Sequence, residues 1–159
     1  MRRICEIIPL DRTATMSDFG PPERVYVEND WYDGPIAGVA DVWGVPHRFK
    51  MKFDEVEDEY LSTYLVWPID RHILELEIEQ WQVFIAWNDL YEAGEASTDS
   101  HPGHGGLHQR WDELQALLHS DRELVPIEAL EAQLKLERID RDRRYDASGP
   151  DYRLRWKLK

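Results

Sequence analysis

Residues 47–53 constrain the fold more than any other stretch of this chain. His47, Phe49, Met51 and Phe53 alternate with Arg48, Lys50 and Lys52. Successive side chains of a strand point to opposite faces, so this alternation gives one apolar face and one cationic face. A strand of that kind belongs in a half-buried antiparallel sheet. Upstream, Trp31-Tyr32-Asp33-Gly34-Pro35 reads as a turn, residues 36–43 as a strand, and Trp43-Gly44-Val45-Pro46 as a second turn. The result is an antiparallel hairpin on which the rest of the chain must pack.

The chain has 159 residues, a length that suits one domain. Its 7 Trp, 7 Tyr and 4 Phe supply the apolar area for a core without disulfides. Cys5 is the only cysteine, so no intramolecular disulfide and no cysteine-based zinc site is expected. Acids outnumber bases 32 to 19, a net charge of -13. That balance opposes nucleic-acid binding through a basic patch and opposes an anionic membrane surface. It suits solubility, a cation or a basic protein partner. The apolar run after Met1-Arg2-Arg3 is broken by Glu6 and Pro9, too early for a secretory signal. No stretch approaches the roughly 20 apolar residues of a membrane span. A cytoplasmic location is the expectation.

Residues 4–10 have the apolar content of a short strand, and residues 11–22 read as a polar linker. Residues 1–22 are therefore expected to be loosely attached, with a single α+β domain over 23–159. Residues 23–29 read as a strand. Gly38 inside the next strand marks a bulge or a close backbone approach. The acidic run of residues 54–59 is a solvated connection, and residues 60–67 form a further strand ended by Pro68. Asp70 has the chemistry of a helix N-cap and Gly94 that of a stop, which predicts a helix between them. Leu74, Leu76 and Ile78 alternate as in a strand, but length and the absence of a turn decide for helix. Its apolar positions cover most of the helical wheel, so burial is expected nearly all round. Glu77, Trp81, Phe84, Asn88 and Glu92 fall on one stripe that is polar within an apolar arc. A second helix follows, with Leu107, Trp111, Leu114 and Leu118 on one face. Residues 152–158 alternate as a strand, and residues 129–139 are its expected hairpin partner. The fold class is α+β: an antiparallel sheet with two main helices packed on one face and a C-terminal β-hairpin.

Four features bear on chemistry. His101, His104 and His108 fall within eight residues, and neutral imidazoles are common metal ligands. Their spacing is not that of ligands on one helix face, and a glycine-rich connection between two helices accounts for them equally. Asn88 and Glu92 are helical neighbours beside Trp81 and could form a cation or sugar site, or simply the rim of the core. Trp31, Tyr32 and Asp33 place large aromatics and an acid at a turn. They fit a protein-binding hot spot, or a loop folded back over the sheet edge. The acidic surface around residues 54–59 fits a basic partner or a solvated face. No serine lies in a nucleophile-elbow setting, and no phosphate loop or dinucleotide fingerprint is present, so no cofactor is expected.

Tyr32-Asp33-Gly34-Pro35, Gly38-Val39-Ala40-Asp41, Gly44-Val45-Pro46-His47, His101-Pro102 and Arg155-Trp156 together resemble a group of small uncharacterised bacterial proteins. The resemblance covers most of the chain after residue 22. It implies a bacterial cytoplasmic origin and adds no activity. The functional expectation is a non-catalytic binding or protein-interaction module. The alternative is a metal-binding protein or hydrolase that uses the loop of His101, His104 and His108.

Overall fold

The computed structural model describes residues 18–159. The expected strand at residues 4–10, and Cys5 within it, lie outside the described residues. The elements run β1 (Val25–Trp31), β2 (Pro35–Val42), β3 (Val45–Asp54), β4 (Glu59–Pro68), α1 (Arg71–Glu92), α2 (Gln109–Glu123), β5 (Leu130–Arg138), β6 (Tyr145–Asp146), β7 (Gly149–Pro150) and β8 (Tyr152–Leu158). Two short 3-10 turns, Thr98–Ser100 and Pro102–His104, link the helices. The fold is α+β, as the alternation and capping patterns predict.

The main sheet has six strands in the order β1-β2-β3-β4-β5-β8, each antiparallel to its neighbour. It curls until its outer strands meet. Just ahead of β1, Glu23 exchanges two backbone hydrogen bonds with Leu154 of β8, at 2.9 and 3.1 Å. The Gly20 N–H donates to the Trp156 carbonyl at 2.8 Å. Residues 20–23 thus fasten the two outer strands together, so this part of the expected linker is built into the sheet.

Every strand of the curled sheet sends side chains to one interior. Val25, Ala40, Val42, Phe49, Tyr64, Val66, Ala132 and Leu154 pack there around Trp156. The Phe49, Tyr64 and Trp156 rings lie 5.7 to 6.3 Å apart in tilted and edge-on pairs. Such geometry suits ring quadrupoles and packs densely. The polar tips find partners: Tyr64 Oη donates to the Pro35 carbonyl and Trp156 Nε1 to that of Asp41. Burial pushes the Tyr64 phenol up to about 12. Gly38 is the close approach its position predicts. A Cβ there would sit 2.4 Å from the Val27 carbonyl oxygen and 2.9 Å from the Phe49 ring.

A shift in register between Val25 and Val27 gives β1 a second job. Residues two apart normally share a face. The irregularity turns Val25 inward, opposite Ala40, and Val27 outward, opposite Val39. Val27 and Val39 then pack on Trp81 and Ile85 of α1. α1 begins where Asp70 accepts a hydrogen bond from the Ile73 N–H at 2.9 Å and ends before Gly94 at φ 77°. It is buried along one stripe only, Leu76, Glu77, Gln80, Trp81, Ile85 and Asn88. The near-complete burial expected from its apolar content is corrected: Leu90 and Tyr91 face outward. α2 lies on α1 through Leu114 and Leu118, which meet Leu76. Leu107, assigned by spacing to the same stripe, precedes the helix and is largely exposed.

At the C-terminal end, β5 and β8 pair from Ala132 opposite Leu158 to Arg138 opposite Tyr152. This is the expected hairpin, with the small β6–β7 ladder inserted between its strands. No helix among the described residues is long and apolar enough to cross a membrane.

Candidate functional site

The outer face of β1 and the helix pair do not meet along their whole length. A cleft of about 500 Å³ remains between them. Residues 27–31 of β1 form one wall, and Glu77, Gln80, Trp81 and Phe84 of α1 form the opposite one. Trp111, Asp112, Gln115 and Arg122 of α2 close one side; His101 and Tyr145 close the rest. A second hollow of about 450 Å³ lies on the outward side of α1, beside Val83, Trp87 and Leu90, and is mostly apolar. Only the first combines aromatic and charged side chains in quantity.

The floor of the cleft is ionic. Glu77 is 1% exposed, and its carboxylate accepts from Arg48 Nη1 at 2.8 Å. It also takes a two-pronged contact from Arg122, Nε at 3.0 Å and Nη2 at 2.7 Å. Arg48, 2% exposed, turns its remaining nitrogens to Asp121 Oδ2 at 2.9 and 2.6 Å. Burial alone would push the Glu77 carboxyl up. The hydrogen bonds and charges of Arg122, then Arg48, outweigh burial and hold it below the usual carboxylate range. Two cations and two anions leave the cluster neutral. It ties β3 to α1 and α2 through geometry that permits few alternatives. The cationic face of β3 is therefore not a solvent face at Arg48. Only toward its far end does Lys52 reach across the sheet to Glu131 of β5, at 3.1 Å.

A second carboxylate is held at the opposite wall. Glu28 accepts from Arg144 Nη2, Tyr145 Oη and Tyr152 Oη at 2.7 to 2.9 Å. Burial, then the Glu28 charge, pushes the Tyr145 phenol up to about 12 and raises that of Tyr152 further. The Arg144 guanidinium lies over the rings of Trp31 at 4.6 Å, Tyr145 at 4.3 Å and Tyr152 at 5.6 Å. Its Nη1 is buried without a hydrogen bond, though the Asp151 carboxylate stands 3.5 Å away. We take this as an ion pair out of hydrogen-bond alignment.

Of the residues singled out in the turn, Trp31 enters the cleft and the other two do not. β1 runs through Trp31, which folds back so that its ring sits 5.5 Å from that of Tyr152. Tyr32 is 75% exposed, and Asp33 takes φ 53° at the turn. Asn88 donates to Glu92 at 2.9 Å, as their spacing predicts, but both lie beyond Phe84 along α1 and outside the cleft. Of the marked stripe, Glu77, Trp81 and Phe84 line it.

The three histidines of the loop are used separately. His101 Nδ1 accepts from the Gly103 N–H at 2.8 Å. His104 Nε2 meets the Thr98 carbonyl at 2.8 Å. His108 caps α2 by accepting from the Trp111 N–H at 3.1 Å. Among the described residues, no three His, Cys, Asp or Glu side chains converge as a metal site requires. His101 alone borders the cleft, its ring 4.5 Å from that of Trp87 and 5.8 Å from that of Phe84. Burial, then the neighbouring His104, lowers its pKa from the ordinary 6.5. Sequence reasoning missed Arg48, Arg122, Glu28 and Tyr145, because each acquires its role only through partners distant in the chain.

No protein-family model, no curated protein and no solved structure matches the chain. The site rests on its own chemistry.

Proposed function

We propose that the protein is a non-catalytic binding module, with the cleft between β1 and the helix pair as its binding site. One observation carries the reading: in this cleft several aromatic rings and charged groups border a single concavity. Its buried carboxylates are already committed. Glu77 is held below the usual carboxylate range by Arg122 and Arg48, whereas a general acid or base needs a pKa near the working pH. Glu28 is hydrogen-bonded to Arg144, Tyr145 and Tyr152. Among the described residues, no Ser, Thr, Cys or Lys lines the cleft to act as nucleophile. His101 spends Nδ1 on a backbone N–H, which leaves its Nε2 as a donor rather than a base. The reading built on His101, His104 and His108 has less support, since each ring contributes to local loop or helix geometry.

A basic segment of a partner suits the acidic chain best among macromolecular occupants. The test compares wild type with Gln115→Trp, which sets a large ring in the cleft from an exposed helix position. Both proteins are immobilised and challenged with the same lysate and metabolite set. A binder retained by the wild type and lost by the variant supports the reading. A binder held equally by both, or one chemically converted during the assay, overturns it.

A further inference from the structure

Resting on the cleft as the binding site, we propose that its ligand is an alkylated ammonium group, carried by a small organic cation or by a lysine side chain of a partner protein. The lining supplies three reasons. First, Phe84 and Trp111 border the cleft as partly exposed rings, beside Trp31 and Tyr145, over which Arg144 already lies. The face of such a ring is negative and attracts a cation held within about 6 Å of its centre.

Second, the charges of the lining do not balance. Four acids, Glu28, Asp30, Glu77 and Asp112, face one base, Arg122. Glu28 is matched by Arg144, and Glu77 by Arg48 and Arg122. Among the described residues, Asp30 and Asp112 accept only from backbone N–H groups, those of Trp31 and Gly106. Among the described residues neither has a basic side chain within ion-pair distance. A cation bound in the cleft meets this excess of negative charge. An anion meets no free donor of charge, because the Arg122 guanidinium is spent on Glu77, Gln80 and Gln115.

Third, the same recognition is already built at the edge of the cleft. Arg144 sits over three aromatic rings with the Glu28 carboxylate 2.7 Å from it. There the chain supplies its own cation. Elsewhere in the lining, Phe84, Trp111, Asp30 and Asp112 border the same concavity, and the cation is left to come from outside.

Trp31, Trp81 and Trp111 make tryptophan fluorescence a direct readout of the cleft. Four probes are titrated: choline, its neutral carbon isostere 3,3-dimethylbutan-1-ol, and a peptide bearing either trimethyl-lysine or lysine. The expected result is a saturable change with a cationic probe and a response at least about tenfold weaker with the isostere. The double variant Asp30→Asn with Asp112→Asn keeps a side-chain oxygen to accept from each backbone N–H and is expected to lose about tenfold in affinity for the cation. Gln115→Lys sets a positive charge in the cleft one helical turn from Asp112, where it competes with a bound cation, and is expected to give a similar loss. Binding of choline as tight as that of the peptides supports a small-molecule source; binding of a peptide alone supports a partner protein. Equal binding of the isostere, an unchanged double variant, or no saturable response to any cation overturns the proposal. Where a neutral probe binds and Gln115→Trp abolishes it, the cleft remains the binding site and only the cation assignment falls.

Discussion

Arg48 and Phe49 are neighbours in one strand and almost equally buried, at 2% and 0% exposed. Their surroundings are opposites. Phe49 points into the curled sheet, where it meets Tyr64 and Trp156. Arg48 points out, beneath the helices, where it meets Glu77 and Asp121. The interior is held by shape and apolar burial, which are non-directional. The interface outside is held by charge-assisted hydrogen bonds, which fix direction as well as contact. The apolar contact of Val27 and Val39 with α1 is joined by the four-residue ionic cluster beneath the helices. The cleft lies beside that contact, bordered by residues 27–31 of β1.

The comparison is broken most easily on its apolar side. Phe49→Ala removes a ring packed against Gly38, Tyr64 and Trp156, and is expected to cost about 4 kcal/mol in a denaturant melt. The apolar interior would lose its claim to carry the stability if that loss came out below about 1 kcal/mol. On the ionic side, Glu77→Leu strands Arg48 and Arg122 and is expected to cost about 3 kcal/mol. The triple variant Arg48→Met, Glu77→Leu, Arg122→Met removes the whole charge set except Asp121, which is partly exposed. It should recover most of that loss while changing how the helices sit. A triple variant as unstable as Glu77→Leu would mean the cluster stabilises the fold outright instead of specifying an arrangement.

The two sides also differ in how far the sequence reveals them. The alternation of residues 47–53 shows which side chains share a face, and Phe49 follows from it. It cannot show whether the opposite face meets water or a helix, so Arg48 reads as a surface charge. The α1 boundaries are legible because Asp70 and Gly94 act within one turn of themselves. The Glu77 stripe is visible as an anomaly, yet its partners lie 29 residues upstream and 45 downstream, at separations that no local period encodes. Closure of the sheet is hidden for the same reason: Glu23 and Leu154 pair across nearly the whole chain. Trp31 is legible as an aromatic out of place, but the arginine beneath it is not.

Acid separates the regions without mutation. The folded Glu77 carboxyl lies below its ordinary value of 4.5, so its stabilising contribution is complete above that pH and is lost as pH falls through the lower folded value. His101 acts earlier. Its folded pKa is lowered, so the unfolded chain binds the proton more readily. Its contribution is present above 6.5 and declines as pH drops from there toward the folded value. Thermal unfolding followed from pH 7.5 downward should show a first decline beginning near 6.5. His101→Asn offers the Gly103 N–H an acceptor without a titrating ring and should remove that part of the decline. The apolar interior offers no counterpart, because its phenols titrate only far above neutrality. A decline that persists unchanged in the variant assigns the early acid step to other groups.

The smallest effect sharpens the comparison at the turn, where one of two adjacent aromatics joins the packed structure and the other stays in solvent. Trp31 packs on Tyr152 and lies over Arg144, so Trp31→Ala loses ring burial and a cation–aromatic contact together, on the order of 2–3 kcal/mol. Tyr32, 75% exposed, has its backbone N–H bonded to the Gly34 carbonyl and its ring in solvent. Tyr32→Ser keeps that backbone bond and should change stability by less than about 0.5 kcal/mol. It should also leave binding in the cleft unaltered, since Tyr32 does not line it. Unaltered stability with weakened partner binding would move the interaction surface from the cleft to the turn, because nothing in the fold requires a large ring at residue 32.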